Sequence, residues 1–580
     1  MTVPGVRYRL AVPVSRDVAQ ALSGYTPLVQ QLLHTRGVMT VDKADTFFSP
    51  QYETLHDPFL MTDMEKAVTR ILDALFERER VVVFSDYDCD GIPGGVLLHD
   101  FLTAIGCTNF ENYIPHRHVE GYGLNIAAID TLAERGAKVI ITVDCGITDV
   151  APVARAKEHG IDLIITDHHE VGLALPDAYA ILNPKRDDAY PFKGLCGTGV
   201  AWKLVQALLA RGRARGQFSL ADGQEKWWLD VVGLATIADR VPLTGENRTL
   251  AHFGLKVLQK TRRPGLQHIF RATRLTERYL TEDDVGFTLG PRINAASRMD
   301  TPEDAFHMLA TRDEATAGAH ARHLEQLNNE RKGVVAAMVK EVKKRIAQST
   351  NMSPVIVMGN PEWRPALVGL VANTLAENFN RPVFLWGRDG RDVIKGSCRA
   401  GGAMSVVSLM HEVRDVFIEY GGHHASGGFS VQRDAIHTFD VRLNDAYAAI
   451  RETAAQSARE IVVDAVLSLD ELTETFMRDL IQLAPFGEGN DKPLFAFPRV
   501  VPTQVFSFGK GRDHTKVSFK TKNGPLEAIA FFTPPDGFAA PLKSGAAVTL
   551  IAHAEQSFFM NRLTTRLRIV DVLPPDHVLC

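Results

Sequence analysis

The sequence predicts an α/β protein of several domains: a doubly wound parallel-sheet domain, a smaller α/β domain after a long connecting helix, and a small C-terminal β-barrel. Three observations support this fold class. Helical patterns alternate with short β-branched runs over the first half of the chain, a long polar helix-forming stretch follows, and short strands between turn residues fill the end. The length of 580 residues exceeds what one hydrophobic core usually supports, which also predicts separate domains.

Each domain follows from its own pattern. In the first α/β domain a helical pattern from Met64 runs into VVVF, and helix returns before the strands VIITV and IDLIIT. Continuous apolar strands of this kind belong to parallel sheets covered by helices on both faces. The polar, helix-forming residues from Asp313 to Ile346 predict the connecting helix. The expected limits are 1–60 for an N-terminal cap, 61–312 for the first α/β domain, 313–350 for the connecting helix, 351–457 for the second α/β domain and 458–580 for the barrel.

Composition and the cysteine pattern narrow the class of protein. Hydrophobic residues make up 45% and charged residues 23%, which is typical of a chain that folds throughout. The net charge of −5 neither indicates nor excludes a nucleic-acid partner, because a basic groove can lie on an acidic protein. The sequence shows no secretory signal, no apolar stretch long enough to span a membrane, and no C-x-x-C pair among its six cysteines. We expect a cytoplasmic protein with reduced thiols, no membrane partner and no structural zinc.

Acidic residues and histidines follow three of the predicted strands. The strand ends read SDYDCDG, DCG and DHHE, and they carry Asp86, Asp88, Asp90, Asp144, Asp167, His168, His169 and Glu170. Because ligands bind beyond the carboxyl ends of the strands in an open parallel sheet, these side chains are expected to converge on one crevice. Carboxylates gathered in this way repel one another and need a cation. Oxygen ligands with few imidazoles favour Mn²⁺ or Mg²⁺ over zinc, and a carboxylate shared by two ions would hold them about 3.5–4 Å apart.

Other interpretations of these acids stay open. An aspartate after a strand is more often a helix N-cap than a ligand, and Asp86, Asp162 or Asp167 could have that role alone. DYDCDG also matches the start of a calcium-binding loop, but Leu97 stands where that loop needs glutamate, which excludes it. Asp239 lies in an apolar helical run, where a buried carboxylate needs a cation, either Arg240 or the metal cluster.

The order DYD-x-DG, DCG, DHH and a later AD resembles the DHH phosphoesterase superfamily, and its RecJ branch in particular. Further segments agree with that branch over nearly the whole chain: LHDPFLMTDMEKAV, GPRINAASRM, KGSCRA, GGHHASGGF and LAPFGEGNDKPLF. The resemblance implies a DHH domain, a smaller DHH-associated domain and a C-terminal oligonucleotide-binding (OB) barrel. It also implies a single-stranded-DNA-specific exonuclease that runs from the 5′ end, a metal-dependent hydrolase of DNA repair and recombination.

The resemblance assigns roles to individual residues. It places the metal ligands on Asp88, Asp90, Asp144, His168 and Asp239, with Asp144 shared between two ions. The implied catalytic set is Asp86, Asp144, His169, Arg292 and Arg399, in which His169 would contact the scissile phosphate. The implied substrate groove is lined by Arg292, Asn294, Arg298, Ser397, Arg399 and His423. Two metal ions would generate hydroxide and stabilise the attacking and leaving oxygens, so no protein nucleophile is assigned.

The groove and barrel residues have ordinary alternatives. Each of the three arginines could form a surface ion pair instead of binding phosphate. The barrel needs phenylalanines for its own core, so we expect only one or two of them to touch DNA. Phe508, beside a glycine-flanked loop, is the residue we expect to stack on a base.

The chain also departs from the family pattern at a few positions. Where relatives continue DYD-x-DG with Thr or Ser, this chain has Ile92, Pro93, Gly94 and Gly95. Ala400 stands in place of a serine, and Ser426 replaces a common alanine. These departures concern substrate contacts, and the proposed metal ligands are all present.

Two other functions compete with the exonuclease. An oligoribonuclease or small-nucleotide phosphatase of the same superfamily would open its first motif with a histidine and lack the barrel, whereas this chain reads FSDYDCD. A non-catalytic single-strand-binding replication scaffold would have lost metal ligands, and none is missing here. Single-stranded DNA is the expected partner, and a helicase and a single-strand-binding protein are further candidates.

Overall fold

The structure is a computed structural model that describes residues 6–349, 352–390, 392–402, 404–453, 459–509, 511–559 and 562–579. The expected domain limits at 350, 351, 457 and 458 lie outside the described residues. Over these ranges, no helix has both the length and the apolar composition that a membrane crossing requires.

The described chain begins with a strand and three short helices. They are β1 Val6–Leu10, α1 Arg16–Ala21, α2 Pro27–Thr35 and α3 Val41–Phe48. Each helix is preceded by a Ser or Thr whose side chain accepts a hydrogen bond from a backbone amide of the first turn. These caps satisfy amides that would otherwise have no partner within the helix, which is why the helices begin where they do.

The first α/β domain is built on a five-stranded parallel sheet. Its strands are β2 Val81–Ser85, β3 Phe110–Tyr113, β4 Val139–Val143, β5 Asp162–Thr166 and β6 Ala180–Leu182. They lie in the order β3-β2-β4-β5-β6, and each neighbouring pair is parallel. Alternate residues of β2 enter different apolar clusters, so both faces of the sheet are buried. The predicted doubly wound parallel sheet is confirmed.

The helices of this domain cover the two faces and one end of the sheet. In chain order they are α4 Met64–Phe76, α5 Gly91–Ala104, α6 Ile126–Glu134, α7 Val150–Glu158, α8 Gly197–Ala214, α9 Leu229–Ala238, α10 Gly245–Leu258, α11 Pro264–Thr273, α12 Glu282–Asp284, α13 Gly290–Met299 and α14 Glu303–Ala310. A π-helical turn, Val285–Leu289, joins α12 to α13.

Helix α5 follows the first acidic motif and lies very close to the sheet. A Cβ at Gly94 would lie 2.5 Å from Val143 Cγ1, and a Cβ at Gly95 would lie 2.7 Å from Ser85 Oγ. A side chain at either position would therefore require a neighbouring group to shift. The glycines explain how this chain accommodates its departure from the family pattern.

A long helix leads to the second α/β domain. The predicted connecting helix is confirmed as α15 Glu314–Gln348. The domain then contains β7 Ile356–Gly359, α16 Pro365–Phe379, β8 Val383–Arg388, β9 Ile394–Arg399, α17 Val406–Glu412, β10 Phe417–Gly422, β11 Ser426–Val431 and α18 Phe439–Thr453. Its sheet order is β10-β11-β9-β8-β7, parallel only between β7 and β8.

The C-terminal part is a mostly antiparallel β-structure. Its elements are β12 Arg459–Val463, β13 Ala465–Val466, α19 Glu474–Ile481, β14 Phe495–Val500, β15 Gln504–Phe508, β16 His514–Thr521, β17 Gly524–Ala530, β18 Val548–Phe559 and β19 Arg562–Leu573. Seven of these strands form one sheet in the order β13-β14-β18-β19-β17-β16-β15. The short strands expected between turn residues are present.

Two compact units divide the chain, and one of them is discontinuous in sequence. Met1–Gln51 groups with Gln456–Cys580, and Tyr52–Ala455 forms the other unit. In the discontinuous unit β1 pairs with β12, and Leu32 and Leu33 of α2 share an apolar cluster with Phe495 and Phe497 of β14. The expected domain limits remain predictions. The structure adds a grouping that the sequence analysis did not make, since it joins the N-terminal segment to the β-structure.

Candidate active site and metal centre

The acidic residues lie at the carboxyl ends of three adjacent strands. Asp86 follows β2, Asp144 follows β4 and Asp167 follows β5, and these strands are neighbours in the sheet. Asp144 has a φ of 63°, a left-handed conformation that non-glycine residues rarely adopt. Gly197 packs against it, since a Cβ at that position would lie 2.5 Å from the Asp144 Cβ. The turn at Asp144 is thus held by its surroundings.

The predicted metal ligands converge around His168. Its Nε2 lies 3.2 Å from Asp144 Oδ1, 3.7 Å from Asp90 Oδ2 and 3.7 Å from Asp239 Oδ2. Asp86, Asp88 and Asp144 form a further group whose ligand atoms lie within 4.8 Å of one another. Asp144 also belongs to a group with His168 and His169 that meets the same limit. Asp144, the carboxylate expected to be shared between two ions, therefore belongs to two of these ligand groups.

Charge repulsion in this cluster is severe. Burial, followed by the charges of neighbouring aspartates, raises the pKa of Asp86 and of Asp144 well above the ordinary value for a carboxyl group. The same causes raise the pKa of Asp239 to about 8. Asp86 Oδ1 and Asp144 Oδ1 are buried and accept no hydrogen bond from the described residues. A site of this kind requires positive charge, and its oxygen and imidazole donors fit Mn²⁺ or Mg²⁺.

Backbone amides fix the orientation of two of the carboxylates. Gly197 N donates to Asp90 Oδ2 at 2.6 Å, and Thr198 N donates to Asp90 Oδ1 at 2.8 Å. Asp90 thereby caps the start of α8, even though it precedes α5 in sequence. Asp88 Oδ1 accepts from the amides of Asp90 and Gly91 at 2.7 and 3.1 Å. Backbone amides therefore hold both carboxylates in place before any ion binds.

Asp167 has a role that the sequence analysis did not assign. Its carboxylate accepts from the amides of Ile147, His168 and His169, and Oδ1 lies 2.8 Å from His169 Nδ1. Burial alone would lower the pKa of His169, but the hydrogen bond to Asp167 and its charge outweigh burial and raise that pKa to about 9. Asp167 therefore orients the imidazole predicted to contact the scissile phosphate, and the motif itself could have indicated this role.

Tyr122 is another residue that sequence reasoning missed. Its hydroxyl donates to the carbonyl oxygen of Asp144 at 3.0 Å and lies 3.1 Å from His169 Nδ1. It thus supports both the strand-end turn and the histidine that is predicted to contact the scissile phosphate. Nothing in the local sequence signals this, because Tyr122 lies in a loop between β3 and α6 and far from either partner in sequence.

Arginines form a cluster beside the acidic site. Burial lowers the pKa of Arg298 well below its ordinary range, and the charges of Arg117, Arg331 and Arg399 lower it further, against the opposing charge of Asp88. Among the described residues, no carboxylate forms an ion pair with Arg117, Arg298, Arg331 or Arg399. Half-buried guanidinium groups without anionic partners can form a site for phosphate. Arg117 and Arg331 were not predicted from the sequence.

The other predicted groove residues have mixed surroundings. Arg292 donates to Glu325 of α15 at 2.6 Å, which is the ion-pair alternative left open above, although the pair is largely buried. Asn294 Oδ1 accepts from the amide of Cys89, so it supports the first acidic motif. The predicted substrate roles of Arg292 and Asn294 remain predictions.

The second α/β domain contributes residues to the same groove. Ser397 and Arg399 lie on β9, and Arg298 Nη1 donates to the carbonyl oxygen of Ala366 at 2.6 Å, which links the two α/β domains. His423 is exposed, and its charge helps to lower the pKa of Glu170, after the larger effect of Lys185. His423 therefore lies within electrostatic range of the DHHE motif.

The two departures in this domain, Ala400 and Ser426, are neighbours in the structure. The amide of Ala400 donates to the carbonyl oxygen of Ala425, and Ser426 pairs with Arg399 between β11 and β9. Both departures from the family pattern therefore lie next to Arg399, a predicted substrate-binding residue.

A cavity of about 940 Å³ lies between the two α/β domains, and Tyr87 and Tyr122 of its lining adjoin the acidic site. It is lined by Tyr87, Arg117, Tyr122, Trp363, Arg388 and Lys395, among others. Arg117 lies over the ring of Tyr87, 4.7 Å from its centroid. The mixture of cations and aromatic rings suits a nucleotide chain, because cations can bind its phosphates and aromatic rings can stack on its bases.

Phe508 lies in a cluster of rings in the C-terminal unit. Its centroid is 5.1 Å from that of His514 and 6.3 Å from that of Phe531. Phe532 contacts His514 and is 79% exposed, and Arg568 lies over Phe531. Phe519, by contrast, is buried in the core. The sequence identified Phe508 but did not separate Phe531 and Phe532 from the core phenylalanines.

Acidic metal ligands at the ends of a parallel sheet, next to a basic groove, define the chain as a metal-dependent phosphoesterase of the DHH type. Residues 80–236 match the DHH family, N-terminal domain, and residues 463–571 match the RecJ OB domain. The chain is 34% identical to the single-stranded-DNA-specific exonuclease RecJ of Bacillus subtilis (strain 168), over 94% of this chain and 68% of that protein. It is 31% identical to the single-stranded-DNA-specific exonuclease RecJ of Escherichia coli (strain K12), over 87% of this chain and 89% of that protein. The chain belongs to the RecJ family.

Solved structures agree with this assignment. The crystal structure of RecJ in complex with Mn²⁺ from Thermus thermophilus is 28% identical, has a TM-score of 0.82, and matches 100% of this chain and 81% of that chain. The Mg²⁺ complex of RecJ from the same organism is 26% identical with a TM-score of 0.75, and the match covers 99% and 79%. The expected fold class, with its DHH domain and C-terminal OB domain, is confirmed.

Proposed function

We propose that this chain is a single-stranded-DNA-specific exonuclease. It hydrolyses phosphodiester bonds in the 5′→3′ direction with two divalent metal ions, Mn²⁺ or Mg²⁺, in DNA repair and recombination. The observation that carries the proposal is Asp144, whose buried carboxylate joins two groups of potential metal ligands beside a cluster of arginines without anionic partners. Cations held there and guanidinium groups nearby favour an anionic phosphodiester substrate.

The residues around this site have distinct tasks. Asp88, Asp90, Asp144, His168 and Asp239 would hold the ions. When bound, a pair of divalent ions activates water and stabilises charge on the attacking and leaving oxygens. The amides at the start of α8 keep Asp90 in place, so the ligand set is organised in advance.

His169 and the arginines act on the substrate itself. His169 Nδ1 hydrogen-bonds to Asp167, which leaves Nε2 to contact a phosphate oxygen. Arg298 and Arg399 bind and orient neighbouring phosphates, because a guanidinium group can donate two parallel hydrogen bonds to a phosphate. Their mutual repulsion is relieved when the anionic strand enters.

The OB domain adds affinity for long strands. Phe508, Phe531 and Phe532 with His514 present a surface of rings on which successive bases stack, and Arg568 adds positive charge beside it. Base stacking of this kind contributes about 1–3 kcal/mol per base and tolerates any sequence. The domain thus holds the strand while the acidic site cleaves its end.

The proposal includes partners and a location. An enzyme specific for single strands needs another protein to separate duplex DNA, so a helicase is the expected supplier of substrate and a single-strand-binding protein its competitor or loader. Cys89, Cys107, Cys145, Cys196 and Cys398 are free, which accords with the cytoplasm. Affinity capture with the purified chain, followed by identification of bound proteins, tests the partners.

One experiment tests the proposed activity. The protein is incubated with 5′- and 3′-labelled single- and double-stranded DNA in the presence of Mn²⁺, Mg²⁺ or a chelator. We expect stepwise release from the 5′ end of single strands, no reaction with chelator and little with blunt duplex. Degradation of short oligonucleotides alone, with long strands untouched, would instead support the oligoribonuclease alternative. Binding of DNA without cleavage or metal uptake would support the non-catalytic scaffold.

A further inference from the structure

We propose that the loop from Glu170 to Pro176 is an apolar lip of the catalytic groove, against which the base of the nucleotide undergoing cleavage packs. This inference rests on the proposed function and deepens it, because it names residues that contact the base and not the phosphate. The loop reads EVGLALP and begins directly after His169.

Both ends of the loop are anchored, and its middle is exposed. Val171 packs against an apolar cluster on one face of the parallel sheet, and Pro176 is buried. Between them Leu173 is fully exposed and Leu175 is 39% exposed. Single apolar residues on a surface are ordinary, but an exposed apolar run is not expected without a function. The exposed leucines therefore indicate a surface that binds another molecule.

The position of the loop points to the substrate as that occupant. A Cβ at Gly172 would lie 3.6 Å from Thr148 Cγ2, and Thr148 lines the 940 Å³ cavity together with Tyr87, Arg117 and Tyr122. At the start of the loop, Lys185 donates to Glu170 at 2.9 Å. The loop therefore lies at the rim of the groove, next to the metal ligands.

Tyr87 and Tyr122 already offer aromatic rings to a base within the cavity, and the two exposed leucines would add apolar contact at its rim. The arginines and the metal ligands satisfy phosphates, whereas a base offers two apolar faces that gain from contact with carbon. Leucine makes such contacts without reading hydrogen bonds, so the lip would bind any base. This suits an enzyme that must degrade strands of any sequence.

The test compares a lip variant with a matched control on two substrates. The lip variant carries Leu173→Ser and Leu175→Ser. The control, Phe76→Ser, removes a side chain that is 78% exposed at the end of α4. This helix leads to the start of β2, so Phe76 lies towards the amino ends of the strands, away from the acidic carboxyl ends. The substrates are a single-stranded oligonucleotide with ordinary bases and one with abasic residues at its first two 5′ positions.

We expect the KM of the lip variant for ordinary DNA to rise about tenfold, equivalent to about 1.4 kcal/mol, with kcat little changed. The unmodified protein should lose a similar factor on abasic DNA, and the lip variant should lose nothing further there. Phe76→Ser should behave as the unmodified protein on both. Unchanged melting temperature and Mn²⁺ binding by calorimetry would show that the fold and metal site are intact.

Three results would overturn the proposal. A lip variant that matches the unmodified protein on ordinary DNA shows that the leucines do not contact substrate, while cleavage by both proteins upholds the exonuclease function. If the KM rises by the same factor on abasic DNA for the lip variant and for the unmodified protein, the base contacts residues other than these leucines. Failure of the unmodified protein to degrade any single strand refutes the proposed function and the lip together.

Discussion

At Asp144 a strand-end turn with a φ of 63° places a buried carboxylate between two groups of potential metal ligands. Asp144→Asn keeps the shape of this side chain and removes its charge. A neutral amide cannot offset repulsion between two dications, so one ion should bind much more weakly. We expect the cleavage rate to fall at least about 10²-fold, a loss of about 2.7 kcal/mol in transition-state stabilisation, while DNA binding largely survives.

Single-turnover cleavage under saturating Mn²⁺ measures this effect. The control is Asp177→Asn, the same change at an exposed aspartate paired with Lys157. Activity of Asp144→Asn within a few-fold of the unmodified protein would refute the site as placed here.

We expect Arg399 to bind the substrate and not to affect the metal ions. It is half-buried, donates to the carbonyl oxygen of its neighbour Cys398, and lies among other arginines. Arg399→Ala should therefore raise the KM for single-stranded DNA or reduce turnover, with Mn²⁺ affinity nearly unchanged. Steady-state kinetics and calorimetry together measure the two effects. Arg442→Ala, which removes an exposed ion pair with Asp415, is the control, and loss of metal from Arg399→Ala would show a misassigned geometry.

The sequence indicates the proposed metal ligands more clearly than the residues that surround them. Asp88, Asp90, Asp144 and His168 could be proposed as ligands because acidic residues follow three strands of one parallel sheet, whose carboxyl ends lie together. Tyr122, Arg117 and Arg331 could not, because their importance depends on contacts with residues distant in sequence.

Helix α8 organises the site from its first turn. Gly197 donates its amide to Asp90 and leaves room for Asp144, where a Cβ would lie 2.5 Å from that residue's Cβ. Gly197→Ala should therefore push the turn at Asp144 aside, lower stability by about 1–3 kcal/mol and weaken Mn²⁺ binding. Thermal unfolding and metal calorimetry measure both consequences.

Gly333→Ala is the matched control for Gly197→Ala. Gly333 lies in α15 with nothing within 4 Å of the added methyl group, so the change should stabilise the protein by about 0.5–1 kcal/mol. If Gly197→Ala were as stable and bound Mn²⁺ as well as the unmodified protein, the close packing of α8 on the metal site would be wrong.

Elements with a strong period were predictable, and irregular ones were not. The buried β-branched runs became β2, β4 and β5, because a parallel sheet leaves such a run few alternatives. The π-helical turn Val285–Leu289, which precedes Arg292 and Asn294, could not be predicted, because its residues carry no periodic pattern that separates it from an α-helix.

At the scale of the whole molecule, the grouping of the N-terminal segment with the OB domain changes how a truncation must be made. A chain ending near Ser457, which lies outside the described residues, loses the β-structure but keeps α2, whose Leu32 and Leu33 then have no core. We expect that truncation to be less stable and prone to aggregate. A chain restricted to Tyr52–Ala455 removes the entire unit and should fold.

The shorter chain should bind long single strands more weakly, with a greater loss at high salt, yet still cleave at high enzyme concentration. Filter binding and cleavage assays across a salt series, with the full chain as control, measure this. Equal affinity and rate in the two proteins would contradict a DNA-binding role for the OB domain. The sequence could not reveal this grouping, because periodicity reports local structure and not which distant segments share a core.

A unit assembled from both ends of the chain has a consequence for biosynthesis. The first 51 residues leave the ribosome early, but their core partners follow only after roughly 400 further residues. At about 5–20 residues per second, α2 would wait on the order of 20–80 s with its apolar face uncovered. The intervening unit can fold during that interval, so the N-terminal segment is the part of the nascent chain with most need of a chaperone.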